Sequence, residues 1–209
     1  YIGANNVQPI IVNNTVLYAT ARGGHMQEMS YNWQANGYQS SDLSLRATHL
    51  FDGYVVVDMA YGKSPYPVMW SVRSDGRLLG LTYVPEQQVG AWHYHTTAKG
   101  EFKSCAVVAE GPFDILYVVV KRTLGGRTSH YIERMAPPAM TWETTEQTEA
   151  YFVDCGLTRR GPPATTFSGL WHLNGEMVDI LADGAVMKRQ QVVNGRVTLS
   201  GAGAELLAN

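Results

Sequence analysis

The sequence predicts an all-β protein: three propeller-like antiparallel β units forming an incomplete ring, followed by a small β-barrel or sandwich module. Three observations carry that prediction. An alternating strand, a two-residue glycine turn and a returning strand occur three times, over residues 16–26, 68–78 and 115–127. The turn glycines recur at a steady interval, 52 positions from Gly24 to Gly76 and 50 from Gly76 to Gly126. A period near ~50 with hairpins inside each repeat marks propeller blades or a related β-array. Helical signals are almost absent: outside residues 137–150, no apolar stripe at i, i+3, i+4, i+7 lasts through about 12 residues. Three blades do not close a ring, so the chain is expected to be part of something larger. A start at Tyr1 rather than Met fits a processed product or an excised fragment, and the unfinished repeat favours the fragment.

The first unit spans residues 7–52. Ile10, Ile11 and Val12 lead into Asn13-Asn14, a turn pair tolerant of positive φ. A strand over 16–20, the Gly23-Gly24 turn, a return over 25–31 and an Asn36-Gly37 turn follow, with residues 44–48 expected as the outer strand. The second unit spans 53–100. Residues 54–61 read as a strand too apolar to face water on both sides, and Pro65 and Pro67 mark a loop because proline cannot donate to a ladder. Asp75-Gly76 suits a type I′ turn, and 91–96 read as the outer strand. The third unit spans 101–136, with longer hairpin arms and no recognisable outer strand after residues 131–135.

Three domain segments result: blades over 1–136, a linker over 137–150, and a small β module over 151–209. The linker follows Pro137-Pro138 and carries Glu143, Glu146 and Glu149 with no cation. In the last module Asn174-Gly175, Asp183-Gly184 and Asn194-Gly195 punctuate short apolar runs at a spacing typical of small barrels or sandwiches. Residues 201–209 show no strand pattern.

Composition narrows the function. Hydrophobic residues make up 45% of 209, enough for a packed core, while charged residues are only 16%, against ~25% in ordinary domains. So few charges suit a surface partly covered by neighbours. The net charge of −2 gives no global basic field for nucleic acid. A local basic cluster, Lys121, Arg122, Arg127 and Arg134, surrounds the third hairpin with Glu133 as its nearby acid, and reads as a solvated tip or as a patch facing DNA or an acidic neighbour. Cys105 and Cys155 have neither metal nor redox spacing and fit a reducing compartment, Cys105 as a small core residue. No apolar run approaches the ~18 residues of a membrane span.

Candidate chemistry is sparse, and no catalytic, cofactor-binding or metal residue is assigned. His93 and His95, at i and i+2 on one strand, could hold a metal if His25, His49, His130 or His172 supplied a third ligand. Asp52, Asp58, Asp75 and Glu101 are the carboxylates considered for a paired-acid glycan hydrolase. Of these, Asp52 and Asp75 read as turn residues, and Asp58, interrupting an apolar strand, reads as a partner for backbone donors or an arginine. Tyr66, Trp92 and Tyr94 are the aromatic platforms of a glycan- or receptor-binding alternative. Phosphate-loop and nucleophile-elbow patterns fail.

Several stretches together resemble one family. They are Asn36-Gly37-Tyr38 with Ser41-Asp42-Leu43, Ala47-Thr48-His49-Leu50-Phe51, Val57-Asp58-Met59-Ala60-Tyr61, Leu79-Gly80-Leu81-Thr82-Tyr83, Trp92-His93-Tyr94-His95-Thr96, Leu116-Tyr117-Val118-Val119-Val120-Lys121-Arg122 and Tyr131-Ile132-Glu133-Arg134. After the linker come Phe152-Val153-Asp154-Cys155-Gly156-Leu157, Leu173-Asn174-Gly175 and Leu181-Ala182-Asp183-Gly184. Their order and spacing resemble the tail nozzle or tail-tube hub proteins of short-tailed bacteriophages. The resemblance implies a non-enzymatic virion component without a cofactor, a homo-oligomer in the tail contacting other tail proteins and, transiently, the genomic DNA in the exit channel. It implies assembly in the host cytoplasm from a phage or prophage gene. The last module is similar to a small β-barrel half-domain named after ubiquitin-activating enzyme, a name that carries no activity here because Cys155 lacks catalytic surroundings. The family's chain is expected to continue past the strand at Thr198 and Leu199, and residues 136–149 match nothing in it.

Overall fold

The computed structural model describes residues 3–124, 126–136 and 155–208, with the side chains of 201–208 excepted. It is all-β and divides into two compact units, residues 1–137 and 138–209. The expected linker lies wholly outside the described residues.

The first unit holds three antiparallel sheets in chain order. Sheet one is β1 (Ile10–Val12), β2 (Thr15–Ala19), β3 (Met26–Asn32) and β4 (Gly37–Asp42). Sheet two is β5 (Val56–Gly62), β6 (Val68–Arg73), β7 (Leu78–Val84) and β8 (Val89–His95). Sheet three is β9 (Gly100–Glu110), β10 (Phe113–Leu124) and β11 (Arg127–Arg134). Each is a meander in which consecutive strands pair. The outer strand of sheet one is β4, not the 44–48 stretch expected from sequence, which forms bends leading into a 3-10 turn at Thr48–Leu50. There Ser44 N–H and Oγ both donate to Asp42 Oδ1, so a local side-chain bond competes with the ladder.

Period-2 alternation explains how the sheets stack. On sheet two Met69, Leu79, Leu81 and Tyr83 join Leu17, Met26 and Phe51 in one core. The alternate residues Val72 and Leu78 join Phe102, Cys105, Leu116, Val118 and Val120 in another. Successive side chains point to opposite faces, so the central strands β6 and β7 are buried on both and read as near-continuous apolar runs, while the edge strand β8 is largely exposed.

The repeated glycine turns join the second strand to the third in every sheet. At two of them the glycine has a steric cause. Gly24 lies in the left-handed region, φ +65°, and a Cβ there would come within 2.0 Å of the Tyr54 carbonyl oxygen. Gly76, φ +84°, would place a Cβ 2.7 Å from Cβ of Glu101. Each turn thus presses on the chain at the first strand of the next sheet. Gly126, the third of the series, meets nothing within 4 Å among the described residues. The expected type I′ geometry fails at Asp75-Gly76, because only Gly76 has positive φ. Gly76 N–H bonds to the Arg73 carbonyl at 2.8 Å, giving a type I turn closed by a left-handed glycine.

The second unit is one sheet of order β12 (Leu157–Ser168), β15 (Arg196–Ala208), β13 (Met177–Ala182), β14 (Ala185–Gln191). Phe167, Leu170, Leu173, Val178, Ile180, Val192, Val197 and Leu199 form its core. Asp183-Gly184 and Asn194-Gly195 both have positive φ throughout, as type I′ hairpins require. Two expectations fail here. Where a small barrel or sandwich was expected, the described strands form one sheet that is not closed into a barrel, because turn chemistry specifies hairpins while closure needs long-range pairing. Residues 201–208 continue β15, held by the ladder to β12 and β13. Their Gly- and Ala-rich sequence carries no alternation, so the partner strands decide their conformation.

Candidate functional site

Asp58 follows a bulge of β5, where the register shifts between Val56 and Asp58, and it pairs with Val72. Its Oδ1 accepts the Met59 N–H at 2.9 Å and its Oδ2 the Cys105 N–H of β9 at 2.9 Å. Both oxygens serve backbone donors, in line with the structural reading of this residue. Burial, reinforced by the charge of Asp58, pushes the Cys105 thiol up to about 12.

The remaining carboxylates are also structurally engaged. Asp75 takes a bidentate ion pair from Arg73, Nε to Oδ1 at 2.7 Å and Nη2 to Oδ2 at 2.6 Å. Arg73 is 2% exposed, donates to the Leu50 carbonyl at 2.6 Å and stacks 3.8 Å over the Tyr54 ring. The Arg73 hydrogen bonds hold the Asp75 carboxyl below the usual range. Asp52 bonds His25 Nε2 at 3.2 Å while Asp42 bonds Nδ1 at 3.3 Å. Glu101 pairs with Lys103, whose Nζ hydrogen bond is the main cause of its lowered pKa.

His93 and His95 do share one face of β8, with ring centroids 5.1 Å apart. Trp70 packs on both, at 5.5 Å and 5.6 Å. Gly80 explains the cluster, because a Cβ there would sit 2.3 Å from His93 Nε2. Burial, with His95 beside it, lowers the His93 pKa. His172, in the second unit, bonds the Cys155 carbonyl instead. Among the described residues no three His, Cys, Asp or Glu side chains converge as metal ligands.

The basic cluster of the third hairpin is largely neutralised. Arg122, 3% exposed, makes a bidentate pair with Glu133 at 2.6 and 2.8 Å and donates to the Ala98 carbonyl at 3.0 Å. Arg134 pairs with Glu110 at 2.6 Å, and Lys121 lies 3.9 Å from Glu101. Glu133 is therefore not the one nearby acid. Glu110 and Glu101 are distant from the hairpin in sequence but are brought beside it by the β9–β10 ladder.

The aromatic platforms are redistributed. Trp92 is no platform: its ring packs edge-on against Phe51 at 4.8 Å and its Nε1 donates to the Leu43 carbonyl at 2.8 Å. Tyr66 and Tyr94 are exposed, Tyr94 with Arg77 5.5 Å above its ring. A denser aromatic group, missed in the sequence, stands at the β3–β4 tip. Tyr31 and Tyr38 are direct cross-strand partners, with rings 5.4 Å apart, and Tyr31 meets Trp33 at 5.9 Å. The available signal was the run from Ser30 to Ser41, which holds three aromatics and no charge.

No protein-family model and no curated protein matches this chain at a significant level.

Proposed function

We propose that this chain is part of a phage virion protein of the tail nozzle or hub. In this reading its sheets are successive propeller-like blades of a ring around the DNA exit channel, and it works by assembly, without catalysis. The observation that carries the reading is the stepwise docking of one sheet on the next. Gly24 presses on the chain entering sheet two, Gly76 presses on the first strand of sheet three, and Gly126 has no such neighbour among the described residues. Such an array accepts a further sheet at its open end. The face of sheet three turned away from sheet two leaves Val108 and Ile132 exposed, as a surface awaiting a neighbour would. The ordered family resemblance supports the virion assignment. The paired cations of the third hairpin suit a conduit, since they leave little free charge to hold DNA as it passes.

The test is particle analysis with the protein in its full-length context. Negative-stain images should show rings, and antibody labelling should decorate the tails of particles. A strictly monomeric full-length protein that is absent from virions overturns the proposal.

A further inference from the structure

We propose that the β3–β4 tip is a binding site for neutral carbohydrate, centred on Tyr31, Trp33 and Tyr38. This site stands whether or not the chain belongs to a virion. Trp33 is 87% exposed and Tyr38 73%, although side chains of this size normally bury most of their area. The tip is not loose. Asn32 Oδ1 accepts the backbone N–H of Gln34 and Ala35 at 2.9 and 3.0 Å. Tyr31 Oη donates to Asn36 Oδ1 at 2.7 Å, and Asn32 Nδ2 donates to Gln39 Oε1 at 2.9 Å. Tyr31 stands edge-on to both flanking rings, at interplanar angles of 85° to Trp33 and 75° to Tyr38. The rings are therefore held before any ligand arrives, which lowers the ordering cost of binding.

The chemistry selects the ligand. A pyranose presents an apolar C–H face that lies on an aromatic ring and a rim of hydroxyls that both donate and accept. The tip supplies both halves: exposed rings, and amide nitrogens of Asn36 and Gln39 that make no hydrogen bond among the described residues, as donors beside the rings. From Ser30 to Ser41 there is no charged side chain. Anionic saccharides and nucleic acid would need Arg or Lys there. Tyr and Trp also anchor protein interfaces, and such a partner is one of the outcomes that the experiment separates.

The experiment uses the full chain on an array of neutral and acidic bacterial glycans. Tryptophan fluorescence titration with a neutral tetrasaccharide retained on the array then follows. Binding to neutral glycans is expected. Trp33→Ala and Tyr38→Ala should each weaken it by about tenfold or more while moving the melting temperature by no more than about 2 °C, because neither side chain is in the core. The proposal is overturned by no binding to any neutral glycan, by binding confined to acidic glycans, or by binding that survives the double substitution. Capture of a protein partner through Trp33 with no glycan bound also overturns it.

Discussion

The carboxylate of Asp58 on β5 accepts the backbone N–H of Cys105 on β9 at 2.9 Å, a hydrogen bond from one sheet to the next. Removing it strands two amides at once. Asp58→Ala should cost about 2–3 kcal/mol, since a buried donor left without an acceptor pays its full desolvation. Asp58→Asn keeps one acceptor and should cost less. Urea unfolding of both variants checks the order. Equal loss for the two would mean that the carboxylate oxygens are not what holds the seam.

Cys105 sits on the protected side of that seam. With its thiol pushed up to about 12 by burial, it should stay unmodified when native protein meets an alkylating reagent at about pH 8. The half-buried Cys155 should react first. Mass mapping of the alkylated peptides distinguishes them, and the Asp58→Ala variant should expose Cys105 sooner.

The Arg73–Asp75 pair predicts an acid limb to stability. The Asp75 carboxyl is depressed by the Arg73 hydrogen bonds, and that of Asp114 by the backbone N–H groups of Lys63 and Ser64. A depressed folded-state pKa gives stability that is full above the unfolded value of about 4 and is lost as pH falls through the folded value. Unfolding free energy should therefore fall below about pH 4. Asp75→Ala leaves the buried Arg73 guanidinium without its counter-charge and should cost about 2–3 kcal/mol at neutral pH, with a flatter acid limb.

Trp92→Ala tests a structural role against a binding one. The loss of its packing on Phe51 and its bond to the Leu43 carbonyl should cost about 3 kcal/mol. Its effect on any ligand should follow the fraction folded and nothing more.

Two left-handed glycines should respond differently to alanine. At Gly53, φ +82°, a Cβ meets nothing within 4 Å, so Gly53→Ala carries only the backbone penalty of about 1–2 kcal/mol. Gly24→Ala adds a Cβ only 2.0 Å from the Tyr54 carbonyl oxygen, a backbone clash, and the variant should accumulate as insoluble protein. Soluble yield and melting temperature report the contrast.

Much of this fold was legible in the sequence because its information is local. Alternation located the strands, and Asp183-Gly184 and Asn194-Gly195 located their turns. The exceptions are non-local. Residues 201–208 are strand because β12 and β13 pair with them. The candidate residues divide in the same way. Asp58 was readable, since a carboxylate in an apolar strand must find donors. The burial of Trp92 was not, since nothing near it in sequence announces Phe51 and Leu43. Likewise, the acids facing Arg134 and Lys121 come from β9, some 20 residues upstream.

The contrast between meander and crossed pairing also orders the birth of the fold. In the first three sheets every strand finds its partner within the next few residues, so these hairpins have low contact order and can form while synthesis continues. The last sheet cannot. β12 pairs with β15, and Leu157 faces Ala208 across 51 positions of chain. The strand β12 therefore leaves the ribosome without its neighbour and must wait for the end of β15, which makes this sheet the last to fold and the part most dependent on early protection.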